Sequence, residues 1–460
     1  MNALLLVGAA AEQIAQTQQG VATPFVARLM GIVGIGAMIG IAWLISNNRS
    51  RVNWRLVGAG VVLQAAFGVL VLKTGFGRVI FRVANAVFLR LLGFTEEGAR
   101  FIFGNLVKNN VPVGSVTGEP ADSVPIVSVE LWANTGSYFA FTVLPIIIFF
   151  ASLMGILYHL GVMQRIVKAI AWVMQRTMKT SGAETLSVAG NIFVGPTESP
   201  LMIKPYVGRM TYSELDTVMV GGFATIAGSV MAAYVAMLSP YFNDIAGHLL
   251  TASVMNAPAA LYISKILVPE TATPETAGTL DVRKEKEEAN VIEAAAAGAS
   301  QGVRLAVNVG AMLIAFVSLI AMLNYLITAG GGLVGIEGLT MERILGWLLA
   351  PLAWLMGVPW ADAGIVGSLV GVKVVLTEFI AYLQLGGTLA AGDVLSPRSA
   401  VIATYALLGF ANFPSIAVLI GGIGGIAPER RGDLSRLGLK AMVGGNLAAF
   451  TSASLAGMLV

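Results

Sequence analysis

The chain has 460 residues, of which 56% are hydrophobic and only 12% are charged, about half the ~25% charged residues of a soluble domain. One core could not hide so much apolar surface, so most of it must face lipid. The absence of cysteine, the two histidines and a net charge of +3 without a Lys/Arg-rich tract exclude disulfide frameworks, multi-histidine metal centres and nucleic-acid binding. The composition predicts a polytopic membrane protein.

The first elements in chain order are two predicted membrane spans joined by a basic loop. The apolar stretches 25–45 and 56–72 are each about long enough to cross a bilayer. Arg49, Arg51 and Arg55 lie between them or at the start of the second. Because positive residues concentrate on the cytoplasmic side, this loop is predicted to be inside and both outer ends outside.

The next part of the chain alternates surface helices with one span. Residues 73–110 carry apolar positions at helical spacing among several arginines, which predicts a helix lying along the membrane surface. Residues 111–129 are predicted to be a loop, and residues 138–160 a third span. A second amphipathic stretch, 163–179, has four cations and no acidic residue, which places it on the cytoplasmic face.

Five further spans complete a total of eight. They are predicted at residues 215–238, 245–267, 305–327, 400–422 and 437–458. The charged run at 281–288 is predicted to be a solvated cytoplasmic loop. Counting crossings from the first loop places both termini outside.

Two hydrophobic segments, 190–206 and 365–387, do not fit a simple span because each carries a glutamate near its centre. A carboxylate facing lipid costs several kcal/mol, and irregular backbone at membrane depth is tolerated only where protein or a wet cavity surrounds it. Re-entrant helical hairpins meet both conditions. Lys204 and Lys373, near the hairpin bases, are expected to extend toward the membrane interface.

A short repeated motif relates the two predicted hairpins. The same Thr-Glu pair occurs at 197–198 and at 377–378. Each pair follows an amphipathic stretch, 163–179 or 341–357, and precedes two spans. By the crossing count the hairpins enter from opposite sides, which indicates an inverted repeat of the kind found in secondary transporters. The predicted fold is therefore an all-α membrane protein with eight spans, two re-entrant hairpins and interfacial helices.

The two hairpin glutamates are the first candidate binding residues. Ionised carboxylates only accept hydrogen bonds, so Glu198 and Glu378, meeting in one polar pocket, would suit a neutral ligand rich in hydroxyl or N–H donors. The alternative is that each carboxylate pairs with a cation or a backbone amide and only stabilises its hairpin.

A third candidate motif lies within the predicted seventh span, at residues 409–416. Pro414 removes a backbone donor and should kink or unwind the helix. Asn412 and Ser415 are three residues apart and share a face, and Phe410 could stack on a planar ring. The alternative is that these polar groups bind neighbouring helices without a ligand.

These motifs resemble the signatures of the concentrative nucleoside transporters. Residues 190–206 are similar to the first-hairpin signature of that family, and residues 378–382 to its second. Residues 409–412, with 421–424 and 428–431, are similar to its third. The three motifs occur in the family's order, while the part before them matches only in hydropathy and topology.

The resemblance implies a homotrimer in the bacterial inner membrane in which each subunit carries its own route. It implies a scaffold in residues 1–160, followed by a first transport repeat in 161–268. A charged loop and a scaffold span would fill 269–328, and a second transport repeat 329–460. Members of the family import nucleosides by an elevator-like movement coupled to Na⁺ or, in some, H⁺.

The resemblance also assigns six side chains to the nucleoside. They are Thr197 and Glu198 at the nucleobase, Glu378, Asn412 and Ser415 at the ribose hydroxyls, and Phe410 in the pocket wall. Pro196 stands where many members carry an amide that can touch the base. The preference for purine or pyrimidine nucleosides is therefore left open.

Four positions match the family's Na⁺ ligands: Asn191, Val194, Thr225 and Ile226. All would offer neutral oxygens, which suits a weakly bound, exchangeable cation. For Thr225 the alternative is a hydroxyl bonded back to its own helix. No cofactor is expected besides this coupling ion, for which Na⁺ is favoured over H⁺.

The sequence thus favours a cation-coupled nucleoside symporter that is not an enzyme. Two other classes remain open at this level. An intramembrane enzyme could use Glu198 and Glu378 as an acid–base pair, although no nucleophile motif or metal set accompanies them. A passive channel would need the same polar lining without ion coupling.

Overall fold

The computed structural model describes residues 25–108, 110–113, 131–134, 139–242, 244–278, 288–333, 335–392 and 394–460. Helices dominate these residues, as expected where the backbone must satisfy its own hydrogen bonds in lipid. The charged run 281–288 lies outside the described residues except at its last position.

The helices of the first half include the first hairpin. They are α1 (Phe25–Leu44), α2 (Trp54–Lys73), α3 (Gly75–Phe103), α4 (Phe139–His159), α5 (Val162–Met178), α6 (Gly182–Gly190), α7 (Lys204–Val207), α8 (Tyr212–Ala224), α9 (Gly228–Leu238) and α10 (Ile245–Leu267). Short 3₁₀ turns occupy Arg49–Arg51, Gly104–Val107 and Ser199–Ile203. Helix α10 coincides with the predicted fifth span.

The second half begins with the longest helix. Its helices are α11 (Val291–Leu333), α12 (Met341–Leu355), α13 (Trp360–Val375), α14 (Glu378–Ala390), α15 (Pro397–Leu407), α16 (Phe413–Ile426) and α17 (Arg431–Leu459), with a 3₁₀ turn at Pro428–Arg430 before the last. Helix α11 runs for 43 residues, much further than the predicted sixth span.

A short antiparallel ribbon interrupts the helical pattern. Strand β1 (Asn110–Val113) pairs with β2 (Leu131–Asn134), with Asn110 opposite Asn134. The prediction of a loop over 111–129 is therefore wrong for residues 111–113, because β-branched valines flank the proline there and favour extended backbone. Residues 114–129 lie outside the described part.

Among the described residues, five stretches are long and apolar enough to cross a membrane alone. They are Trp54–Lys73, Phe139–His159, Tyr212–Leu238, Val291–Leu333 and Pro428–Leu459. Helices α12 and α13 form one further candidate with a bend of 116°, and Arg28–Leu44 and Phe413–Ile426 are shorter apolar helices. The membrane character is clear, whereas the count of eight spans stays a prediction.

Two of the predicted spans are broken near their middle. The span predicted at 215–238 divides into α8 and α9, with Thr225 and Ala227 in extended conformation between them. The span predicted at 400–422 divides into α15 and α16. Unwinding near Pro414 is confirmed, because α16 restarts with Asn412 as its N-cap and Pro414 in its first turn.

Each segment predicted to be a re-entrant hairpin forms two helical arms joined by a turn, and these hairpins, as they are called below, are longer than predicted. The first, defined here as Gly182–Val207, starts with α6, where the Glu184 side chain accepts a 2.9 Å hydrogen bond from the Ser181 backbone N–H. The second, defined as Trp360–Ala390, turns at Leu376 and restarts at Thr377, the N-cap of α14. Hydropathy missed the outer arm of the first hairpin because α6 starts at the capping residue Ser181, before the apolar run.

The helices around the hairpins are joined by close packing and buried hydrogen bonds. Helix α4 packs against α11, where a Cβ atom on Gly298 would lie 2.6 Å from the Ala151 carbonyl oxygen. On α2, the buried Gln64 side chain donates to Ser452 Oγ at 2.9 Å and accepts from the Tyr262 hydroxyl at 2.8 Å. These bonds tie the second span to α10 and α17.

Candidate substrate and cation site

The tip of the first hairpin lies against both broken helices. The Phe193 carbonyl accepts a 2.8 Å hydrogen bond from the Gly228 N–H, at the start of α9. Thr197 packs on Gly422 of α16, where an added Cβ would come within 3.0 Å of Thr197 Cβ. Glycine is needed at 422 because any side chain would displace the hairpin tip.

The second hairpin reaches the same two broken helices through Glu378. Its carboxylate is 3% exposed and accepts a 2.8 Å hydrogen bond from Asn412 Nδ2 and a 2.9 Å bond from the Tyr234 hydroxyl. Asn412 in turn caps α16, since its Oδ1 accepts from the Ser415 N–H at 2.9 Å. Hydrogen bonds to an ionised acceptor are short and strong, so these donors fix the carboxylate.

The structure therefore brings together three residues that the resemblance assigned to the ribose: Glu378, Asn412 and Ser415. Phe410 is half-buried in the same break, two residues before Asn412. A carboxylate has about four acceptor positions, so two protein donors leave capacity for the hydroxyls of a ligand. Sequence reasoning missed Tyr234, although a tyrosine in a buried apolar helix usually needs a hydrogen-bond partner.

Glu198 belongs to a second polar group. Its Oε2 accepts a 2.8 Å hydrogen bond from the Gly195 N–H, and its Oε1 accepts one from the Gln301 side chain on α11. Glu198 and Gln301 line a cavity of about 290 Å³, together with Tyr158 and Gln164. Glu378 is not among the residues that line this cavity, so the convergence of the two carboxylates stays a prediction.

The polar groups of this cavity are suited to a ligand with both donors and acceptors. Within the described residues, the Tyr158 hydroxyl and Gln164 Oε1 are buried without a hydrogen-bond partner. Unpaired polar atoms in a protein interior are costly unless water or a ligand reaches them. Gln301 was missed because its position on α11 in the sequence says nothing about which hairpin it touches.

Asn191 is the most informative of the four candidate cation ligands. Its side chain is 1% exposed, and in the described part of the chain neither Oδ1 nor Nδ2 has a hydrogen-bond partner. Leaving a buried amide unpaired costs about 1–3 kcal/mol. A bound cation would satisfy the amide oxygen, so this side chain fits the expected ion. Val194, also buried, ends the turn that follows Asn191.

The other two candidates, Thr225 and Ile226, lie in the break between α8 and α9 and are buried. The Thr225 hydroxyl donates to the Gly221 carbonyl at 3.1 Å, as its alternative interpretation expected, and keeps lone pairs for a cation. Asn256 was missed: its Nδ2 donates to the Ala224 carbonyl at 2.7 Å, and its buried Oδ1 is unpaired within the described residues.

The four candidate ligands offer amide, hydroxyl and carbonyl oxygens, which are neutral. The described residues contain no group of three or more His, Asp or Glu able to hold a metal ion. The hydrogen bond between Phe193 and Gly228 holds the turn that contains Asn191 beside the break that contains Thr225.

The position of Lys373 differs from the one predicted. It is fully buried, and its ammonium group donates to the carbonyl oxygens of Ala406 at 2.9 Å and Leu408 at 3.2 Å. The prediction that it extends to the membrane interface is wrong, because the last carbonyls of α15 lack helical partners and attract the cation. Lys204 is exposed, and its extension toward the membrane interface stays a prediction.

Family models match most of the chain. The model described as "Na+ dependent nucleoside transporter C-terminus" matches residues 248–457, and its N-terminal counterpart matches residues 33–106. A third, described as "Nucleoside recognition", matches residues 140–241. The matched regions include the two broken helices, α8–α9 and α15–α16, that the hairpins contact.

Relatives and solved structures give the same assignment as the family models. Nucleoside permease NupC of Helicobacter pylori is 40% identical over 94% of this chain and 98% of its own length. Sodium/nucleoside cotransporter 1 of Mus musculus is 39% identical over 94% of this chain, which spans 64% of that protein. The structure of CNTnw in an inward-facing, substrate-bound state is 43% identical, covers 94% of this chain and 98% of that one, and superposes with a TM-score of 0.83.

Hairpins and broken helices around buried polar groups define a membrane transporter, not an enzyme. The chain belongs to the family of Na⁺-dependent, or concentrative, nucleoside transporters. The interpretation of Glu198 and Glu378 as an acid–base pair of an enzyme is therefore set aside.

Proposed function

We propose that this protein is a Na⁺-coupled symporter that imports nucleosides through the bacterial inner membrane. The observation that carries the proposal is the Glu378 carboxylate, buried on a hairpin and held by Asn412 and Tyr234 of two broken helices. A fixed, acceptor-rich group in a dry site recognises neighbouring hydroxyl donors such as those of ribose.

The nucleoside would lie between the hairpin tips. Glu378, Asn412 and Ser415 would bind the ribose hydroxyls, and Phe410 would line the pocket. On the other side, Thr197 and Glu198 would face the nucleobase, with the free donors and acceptors of the neighbouring cavity supporting them. All these contacts suit a neutral substrate.

The coupling ion would bind Asn191, Val194, Thr225 and Ile226. The unpaired amide of Asn191 supports this assignment, since it needs a partner that the described residues do not supply. Because the site lies where the first hairpin touches the break between α8 and α9, a bound cation would organise the hairpin tip before the nucleoside binds. Na⁺ is favoured over H⁺ because the oxygens are neutral.

Movement would follow an elevator mechanism in a homotrimer with periplasmic termini. The hairpins with α8, α9, α10, α15, α16 and α17 would form the transport domain, and α1 to α4 with α11 the scaffold. The hydrogen bond that Gln64 donates to Ser452 and the one that it accepts from Tyr262 cross this boundary. A displacement of that kind must break or exchange them.

Transport assays distinguish this proposal from a passive channel. In proteoliposomes, radiolabelled uridine or adenosine should accumulate above the outside concentration when Na⁺ is higher outside, and the gradient should disappear when Na⁺ is equalised. Equilibration without accumulation would indicate a channel. Uptake that ignores Na⁺ but follows a pH gradient would make H⁺ the coupling ion.

A variant of Gln301 tests the role of Glu198. If the carboxylate exchanges Gln301 for the nucleobase, Gln301→Leu should lower the KM for nucleoside about three- to tenfold, because a competing hydrogen bond from an exposed side chain is worth about 0.5–1.5 kcal/mol. Ser152→Ala is the matched control: its hydroxyl also bonds α11, at the Ala295 carbonyl, but Ser152 does not line the cavity. An unchanged or higher KM for Gln301→Leu would contradict the exchange.

A further inference from the structure

Two charged residues on the second hairpin hold the same break in the neighbouring helix. Lys373, before the hairpin turn, donates to the carbonyls of Ala406 and Leu408, where α15 ends. Glu378, after the turn, accepts from Asn412, where α16 begins. The hairpin turn between them therefore spans the gap from one half-helix to the next.

The sign of each charge matches the half-helix end that it faces. The carboxyl end of a helix carries partial negative charge and the amino end partial positive charge. The Lys373 ammonium lies at the carboxyl end of α15, and the Glu378 carboxylate lies at the amino end of α16 through its N-cap Asn412. Each charge offsets the unpaired backbone groups that helix breaks expose in a membrane protein.

Lys373 is not placed to bind a ligand itself. Its side chain is fully buried, and besides the two carbonyls its ammonium lies 5.7 Å from the centre of the Phe450 ring. A buried ammonium is unfavourable unless its donors are satisfied. The carbonyls that satisfy it belong to the residues leading into the ribose motif, so its effect on substrate acts through backbone position.

The break is supported on its other sides as well. Gly409 has φ of +106°, and a Cβ there would lie 2.8 Å from the Ala224 carbonyl oxygen. The Asn446 side chain donates to the Ala411 carbonyl at 2.8 Å. Lys373 thus fixes the beginning of the break and Asn446 fixes its end. The last residue of α8 packs so closely against Gly409 that the backbone between them cannot move toward α8. Asn412 follows directly and has little freedom to shift.

We propose that Lys373 is a positioning residue for substrate recognition, which fixes the break so that Asn412 and Glu378 present a preformed site to the ribose hydroxyls. The inference rests on the proposed function, because it takes those two residues to bind ribose. It assigns Lys373 a selective effect, on the sugar and not on the nucleobase or the ion.

The test compares each nucleoside with its 3′-deoxy analogue. Wild-type protein should take up uridine or adenosine with a KM about ten- to a hundredfold below that of the analogue. Lys373→Met, which keeps the chain length and loses the charge, should reduce this ratio to below about threefold. The Na⁺ concentration for half-maximal uptake should change less than twofold. Lys168→Met, an exposed lysine on α5, should match wild type throughout.

Each outcome tests either the ribose assignment of the proposed function or the inference about Lys373. A wild-type ratio near one would overturn the ribose assignment in the proposed function. A wild-type ratio retained by Lys373→Met, even with a lower maximal rate, would show a purely structural lysine and overturn this inference. If Lys373→Met does not reach the membrane, Lys373→Gln decides: its amide can replace one donor, so an intermediate or lost ratio supports the inference and an unchanged ratio overturns it.

Discussion

Glu378→Gln is expected to reduce nucleoside uptake at least about a hundredfold, to the background of empty proteoliposomes. The substitution keeps the shape of the side chain but removes its charge and turns one acceptor into a donor. One of the donors from Asn412 and Tyr234 would then face another donor in a buried site. Two weakened hydrogen bonds to ribose, at about 1.5–3 kcal/mol each, account for this loss.

The control for this variant is Glu337→Gln, which changes an exposed glutamate outside both hairpins. Trimer assembly, followed by cross-linking in membranes, should be the same for both variants and wild type. Uptake is measured as initial rates of labelled uridine and adenosine under a Na⁺ gradient. Normal rates for Glu378→Gln would remove this carboxylate from the ribose site.

Asn191→Leu is expected to raise the Na⁺ concentration for half-maximal uptake more than tenfold. It should at the same time stabilise the Na⁺-free protein, because it replaces a buried, unpaired amide by an apolar group of similar shape. Wild-type protein should gain thermal stability when Na⁺ replaces choline, since an ion that binds only the folded state stabilises it. The variant should lose that gain.

The matched control is Ser187→Ala on α6 of the same hairpin, whose hydroxyl contacts Ser199 at 3.2 Å and not the proposed ion. Melting temperatures in NaCl and choline chloride, together with uptake at graded Na⁺, give both readouts. A variant that keeps the stabilisation by Na⁺ would place the ion elsewhere. Destabilisation without Na⁺ would mean that the Asn191 amide has a partner in the ion-free protein.

Much of the fold could be predicted because lipid imposes simple rules on sequence. Glutamates within apolar segments indicated the hairpins, and Pro414 indicated the break before α16. The interruption at Thr225 was not predicted as a break in the span, since no proline or charge marks it and the residues around it are apolar. The outer arm from Gly182 was missed for the opposite reason, as polar caps conceal its start.

The candidate site was predictable by residue type but not by partner. Local sequence indicated that Glu378 and Asn412 were chemically suited to one ligand, and the structure brings them together. The local sequence could not indicate Tyr234, Gln301 or the buried position of Lys373, because each of these side chains contacts a helix that is distant in sequence. Which of several polar groups meet is decided by tertiary packing, and hydrophobic periodicity carries no record of it.

The neutral oxygens around Asn191 have an energetic consequence for the cell. If Na⁺ binds these neutral oxygens as proposed, neither they nor the nucleoside cancel its charge, so each ion carried inward would move one net charge through the electric field. A potential of 100 mV then contributes about 2.3 kcal/mol, which corresponds to a concentration ratio of about fifty. Respiring cells could therefore scavenge dilute nucleosides even where the salt concentrations on the two sides are equal.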